Sequence, residues 1–185
     1  MMKYSLIIIC SFLFLAAPVD RVAASDKAAA ETQRQALQTA RETALEQLFG
    51  LEPSAKEEIG AATGYAVFPG PEESSMTAAY VSGILHYNHD GKDLYMKMMP
   101  SGESGQSYNL VLVFHTAEAI NNFKDVGWDF SGQLNSNAEE PLTGVGVSGA
   151  QSVMPGTAAY RFNQDGMADQ LGLQDTKFMV DESLN

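Results

Sequence analysis

Residues 95–106 read YMKMMPSGESGQ. Met96, Met98 and Met99 crowd one short run, and thioethers are soft donors that favour Cu(I). On a strand, side chains alternate, so Met96 and Met98 share one face and Met99 takes the other. A copper site would need a further ligand, with Met76 and Met154 as the available sulfurs. Methionine is also an ordinary filler of irregular cores. The plainer expectation is a returning hairpin strand with Met96 and Met98 inward. Ser101-Gly102-Glu103-Ser104-Gly105 has glycines, but no lysine follows, and Glu103 sits where a phosphate would have to go. It reads as a hairpin loop and not as a phosphate cradle. His86 and His89 flank a turn beside Asp90; they form a metal pair only if the turn brings them together. His115 ends an apolar run and is expected to satisfy backbone groups. The acidic pairs Glu57-Glu58, Glu72-Glu73 and Glu139-Glu140 read as solvated faces. No Gly-x-Ser-x-Gly elbow and no His-Glu-x-x-His helix occurs. The expectation is a protein that is no enzyme, with no metal site and no cofactor.

The chain that must position these groups has 185 residues, enough for one domain. It opens with a secretory pattern: Lys3 is the charge of the n-region, Leu6 to Ala17 are apolar, and Val22-Ala23-Ala24 supply the small residues of a cleavage site. Residues 1–24 are therefore expected to be a signal peptide and residues 25–185 a single exported domain, periplasmic or secreted. Cys10, the single cysteine, lies in that leader, so the mature chain would hold together without disulfides. Removing the leader takes away Lys3, Arg21 and Asp20 and leaves nine basic and 22 acidic side chains, a formal charge of −13. Such a charge repels nucleic acid and anionic lipid at long range, so nucleic acid is not an expected partner. Binding to phosphate groups would have to come from a local basic patch.

The pattern predicts a helix over 26–49, capped by Ser25 or Asp26 and ended by Gly50. Leu37, Ala44 and Leu48 share a face, and Lys27, Arg34 and Arg41 recur at seven-residue spacing beside it. This is either a helix packed on a sheet with basic stems along its edge, or an amphipathic helix that meets a membrane surface. A short helix follows, with Ser54 and Glu57 at capping-box spacing. Strands are expected at 64–69, 77–88 and 92–99, the last two joined by a turn at His89-Asp90-Gly91. YNLVLVF (108–114) is apolar on both faces and belongs in the middle of a sheet. A helix over 116–126 starts at Thr116, a strand spans 128–134, and a polar loop 135–140. Weaker strands lie in 141–163 and 167–180, split at Gln164-Asp165-Gly166. The fold class is α+β: mainly an antiparallel β-sheet or barrel-like sandwich, with an N-terminal helix and one or two short helices.

The order of these segments resembles the SYLF domain family, found in bacterial secreted proteins and in eukaryotic proteins of actin and endocytic membranes. A strand ending in Phe68-Pro69 comes first, then the Gly83-Ile84-Leu85 strand and its hairpin. Ser101-Gly102 to Gly105-Gln106 follows, and then Phe114, Thr116 and Ala119 at a strand-to-helix junction. Met76-Thr-Ala-Ala-Tyr80 stands where the family carries a glycine-rich stretch. The resemblance spans about residues 30–170. It implies a non-catalytic module that binds lipid, with phosphoinositide headgroups and, for some members, actin as ligands. It also implies a basic amphipathic membrane contact in the N-terminal segment, a role only Lys27, Arg34 and Arg41 are placed to carry. The expected partner is an anionic lipid or membrane surface, with a cell-envelope protein as the alternative for a chain that has lost lipid binding.

Overall fold

The structure is a computed structural model that describes residues 19–70, 80–99, 108–126, 144–145, 151–168, 171, 173 and 176–185. The expected leader as far as residue 18 with Cys10, Met76, the Ser101–Gly105 loop, and the expected 128–134 strand and 135–140 loop lie outside them.

Helix α1 (Val19–Leu51) begins earlier than its sequence pattern predicts. Thr32, Thr39 and Thr43, poor helix formers, turn their hydroxyls back onto the carbonyls of Ala28, Gln35 and Thr39 at 2.9, 3.2 and 3.0 Å. Helix α2 (Ser54–Ala61) does not use the expected capping box. Pro53 is its N-cap and supplies no side-chain bond. The carboxylate of Glu52 instead accepts from the amide and hydroxyl of Ser54, at 3.3 and 2.6 Å. Proline near its preset φ starts a helix readily, which moves the cap one step back. At the other end, the Asn88 amide donates to the carbonyls of Ile59 and Ala62, satisfying groups that a helix terminus leaves bare.

The strands are β1 (Gly64–Phe68), β2 (Val81–Tyr87), β3 (Lys92–Met99) and β4 (Asn109–Phe114). After α3 (Ala117–Val126) come β5 (Gly144–Val145), β6 (Gln151–Met154), β7 (Thr157–Asn163), β8 (Gly166–Met167) and β9 (Lys177–Val180). They form an antiparallel sheet in the order β5-β6-β7-β4-β1-β2-β3-β9, with β8 on β7. Among the described residues the sheet is open, with β5 and β9 at its ends, so the barrel-like alternative does not form. As its apolar run predicts, β4 lies inside, between β1 and β7. Thr116 caps α3 by accepting the Ala119 amide at 3.1 Å.

Side-chain alternation divides the core in two. On one face Phe68, Leu85, Met96, Leu112 and Phe114 pack with Ile120 and Phe123 of α3 and with Phe178 of β9. On the other, Tyr65, Val67, Val111, Val113, Tyr160 and Phe162 pack under Ala44 and Leu48 of α1 and Ala55 and Ile59 of α2. Twist brings Phe178 of the outer strand back over the first face, its ring 5.1 Å from Phe68 and 5.5 Å from Phe123. Gly83 makes this fit: a Cβ there would lie 2.4 Å from the Phe68 ring and 2.6 Å from the Val67 carbonyl oxygen. The Phe-Pro and Gly-Ile-Leu signatures are therefore one packing unit.

Candidate functional site

The middle of α1 meets the sheet through polar groups. Its C-terminal part is anchored by Ala44 and Leu48, which are fully buried, while most residues from Asp26 to Gln33 are exposed. Between these stretches, Arg34, Gln38 and Arg41 face β2 and β3. Asp93, near the start of β3, receives all three kinds of donor that surround it. Gln38 Nε2 donates at 2.7 Å, Arg41 Nη1 reaches both carboxylate oxygens at 3.1 and 3.2 Å, and His86 Nδ1 lies 2.7 Å away. The register explains the last contact, since His86 and Asp93 are directly opposed on β2 and β3. Burial alone would raise the Asp93 carboxyl, but the bonds from Gln38 and His86 and the Arg41 charge outweigh it and hold the group below the ordinary carboxylate value. Burial raises Tyr65 next to this cluster, its ring 5.1 Å from that of His86.

Arg34 is also turned inward. Its Nε donates to the Leu184 carbonyl at 2.8 Å, its Nη1 pairs with Glu31 at 3.0 Å, and the guanidinium lies over the Tyr95 ring at 5.9 Å. Of the three basic residues at heptad spacing, Lys27 alone is exposed. The structure brings Arg34 and Arg41 to the sheet and leaves Lys27 on the projecting part of the helix.

Two further polar clusters flank this one. Glu58 of α2 accepts the Tyr160 hydroxyl with one oxygen and lies 3.1 Å from His115 Nε2 with the other. Burial first, and then the bond and charge of Glu58, push the Tyr160 phenol well above its ordinary value. His115 thus engages a carboxylate with its side chain, while its backbone serves Gly156 and Thr63. At the far edge, Lys97 Nζ pairs with the buried Asp181 at 2.9 Å and lies over the Tyr80 ring at 4.8 Å. The Ser183 hydroxyl donates to the same Asp181 oxygen, and the other oxygen, Oδ2, has no hydrogen-bond partner among the described residues.

Met96 and Met98 behave as core. Met96 is fully buried, and Met98 packs against the same cluster. His86 and His89 do not form a pair: the first bonds Asp93, and the second lies at the turn 3.6 Å from Asp90. Among the described residues no group of three or more His, Cys, Asp or Glu side chains is placed to hold a metal.

Sequence reading missed Gln38, Asp93, Tyr160 and Asp181, and its solvated-face reading of Glu57-Glu58 fails at Glu58, which bonds Tyr160 and His115. For the first site a signal existed: Arg34 and Arg41 stand fourteen and seven residues before Leu48, and this spacing puts them close to the Leu48 face. A half-buried arginine needs an acceptor, and Asp93 is the acidic residue of β3.

No family model matches the chain. It is similar to Beta cell expansion factor A of Aeromonas veronii, with 28% identity over 160 residues. The match covers 84% of this chain and 60% of that relative's length. That relative is a SYLF-domain protein, so the likeness points, at low identity, toward a SYLF-like family.

Proposed function

We propose that this chain is an exported, non-catalytic module that binds lipid or another amphiphile in the manner of SYLF-like domains. The observation that carries the reading is the likeness, over most of the chain, to a SYLF-domain protein. That likeness fits a non-catalytic module at a coarse level; export and lipid binding are our own reading, supported by the leader pattern of residues 1–24 and the basic heptad of α1. Lys27 is the group of that heptad already free to meet an anionic headgroup, and Arg34 and Arg41 are the reserve. Each basic residue near an anionic surface contributes about 1 kcal/mol, so Lys27 alone gives weak and salt-sensitive binding.

The test is native mass spectrometry of the exported chain from its own envelope, with lipid extraction in parallel, followed by vesicle co-sedimentation. A co-purified lipid mass and sedimentation with anionic vesicles at low salt are expected. A clean apo mass with no sedimentation rejects the reading.

That outcome would favour a second reading, a cell-envelope interaction module that has lost lipid binding. Two observations speak for it: the formal charge of −12 on the whole chain, and the internal engagement of Arg34 and Arg41.

A further inference from the structure

Arg41 is already bound to an anion, and that anion is its own chain's Asp93. The guanidinium side chain is 15% exposed and the carboxylate 21%, so an external phosphate cannot approach Arg41 while the pair stands. Arg34 is held similarly, by the Leu184 carbonyl and Glu31. Three elements therefore close over the same few side chains: α1, the β2–β3 hairpin and the C-terminal turn.

We propose that this contact is autoinhibitory: Asp93 occupies the anion-binding arginine of α1, and the middle of the helix must leave the sheet before Arg34 and Arg41 meet an anionic phosphate surface. This rests on the lipid reading above and adds its regulation. The construction of α1 favours it. Among the described residues, the members of α1 in the apolar core run from Ala44 to Phe49, while residues 34–41 are fastened by the hydrogen bonds and ion pairs of Arg34, Gln38 and Arg41, which an anionic surface can replace. Packing between Leu side chains offers no such exchange. By strand alternation and register, the sheet face beneath carries Tyr65, Ile84 and Tyr95. Release would therefore free two guanidinium groups and bare an apolar, aromatic patch at the same moment. These are the two features that an interfacial contact combines.

The charged and titratable groups facing Asp93 are Arg41 from α1, Tyr65 from β1 and His86 from β2, with Tyr95 of β3 reached through Gln38 and Arg34 over the Tyr95 ring. Arg41 carries a fixed charge, so removing the Asp93 charge leaves it without its anion.

The experiment separates device from ligand. Asp93→Asn keeps the shape and removes the charge. Hydrogen exchange of the exported chain without lipid is read first. Amides of residues 34–43 in Asp93→Asn are expected to exchange at least about tenfold faster, with those of β4 still the slower set in both chains. Equal exchange overturns the device. Vesicles of phosphatidylcholine with and without phosphatidylglycerol are then sedimented, with inorganic phosphate as a soluble competitor. Asp93→Asn is expected to bind the anionic vesicles several-fold better than the parent chain, and Asp93→Asn with Arg41→Gln to lose that gain. Competition by inorganic phosphate at matched ionic strength would identify a phosphate site rather than a surface. Equal binding by parent and Asp93→Asn overturns autoinhibition while the lipid reading stands. Faster exchange with no vesicle binding by either chain rejects the lipid reading and leaves a releasable helix. If Asp93→Asn does not fold, Arg41→Gln serves for the exchange measurement, with the same expected and overturning results.

Discussion

The two faces of the sheet are covered by helices in different ways. On the α3 face the contact is dry and aromatic, with ring contacts running from Phe68 to Phe178, Phe123 and Phe114 in a cluster that also holds the buried Met96. On the α1 face the contact is dry only at the Leu48 end and becomes a chain of charged hydrogen bonds toward Arg34. Apolar contacts have no alternative partner outside the fold and resist exchange. Charged contacts can be traded for an equivalent ion. The first face is built to hold the molecule together, and the second to hold a helix on condition.

Phe123→Ala should give the largest effect, a loss of roughly 3–5 kcal/mol in denaturant unfolding, because the cavity forms between the Phe114 and Phe178 rings that Phe123 joins. A loss under about 1 kcal/mol would show that the α3 face is not the rigid one. Gly83→Ala should cost about 1–3 kcal/mol, since the new methyl meets the Val67 carbonyl as well as the Phe68 ring, and backbone cannot step aside. Thermal unfolding beside a control alanine elsewhere on the surface would measure it.

Asp93→Asn should cost about 2 kcal/mol, the scale of hydrogen bonds to a charged group. It carries a pH signature. The Asp93 carboxyl lies below 3.8 in the fold, so its contribution is present above about pH 4, where the unfolded group is ionised, and is lost as pH falls through the folded value. Stability of the parent chain should therefore drop more steeply on acidification than that of Asp93→Asn; parallel curves would contradict the clasp.

Tyr160→Phe should cost about 1 kcal/mol. The phenol is held above 10.0, so its contribution is present below the ordinary tyrosine value and is lost as pH rises through the folded one. The variant should lose less stability than the parent in alkaline titration followed by circular dichroism. Lys27→Glu should change stability by under about 0.5 kcal/mol, because the residue is exposed on the projecting helix. Its effect should appear only in vesicle binding at low salt.

Much of the fold was legible in the chain. The run 108–114, apolar on both faces, announced a central strand, and Thr116 marked the start of α3. The alternation of Met96 and Met98 gave their inward face. The capping box at Ser54 and Glu57 was a false signal, because Pro53 between Glu52 and Ser54 starts the helix without a side-chain cap. The site was less legible. Heptad spacing identified Lys27, Arg34 and Arg41 as a set, yet the same spacing leads on to Leu48, and a buried leucine pulls its heptad neighbours inward. As the helix drifts about 20° per heptad, Lys27 is carried off that face.

The sequence by itself determined that α1, α2, α3 and β1 to β4 form, that β4 is central, and that Met96 and Met98 point inward. These follow from local periods of 3.6 and 2, which any stretch of chain expresses alone. Only the tertiary structure decided that Arg41 meets Asp93, that Tyr160 meets Glu58, and that Phe178 returns over Phe68. Each of these pairs is far apart in the chain, and each is set by strand register, sheet twist and the seating of a helix on the sheet.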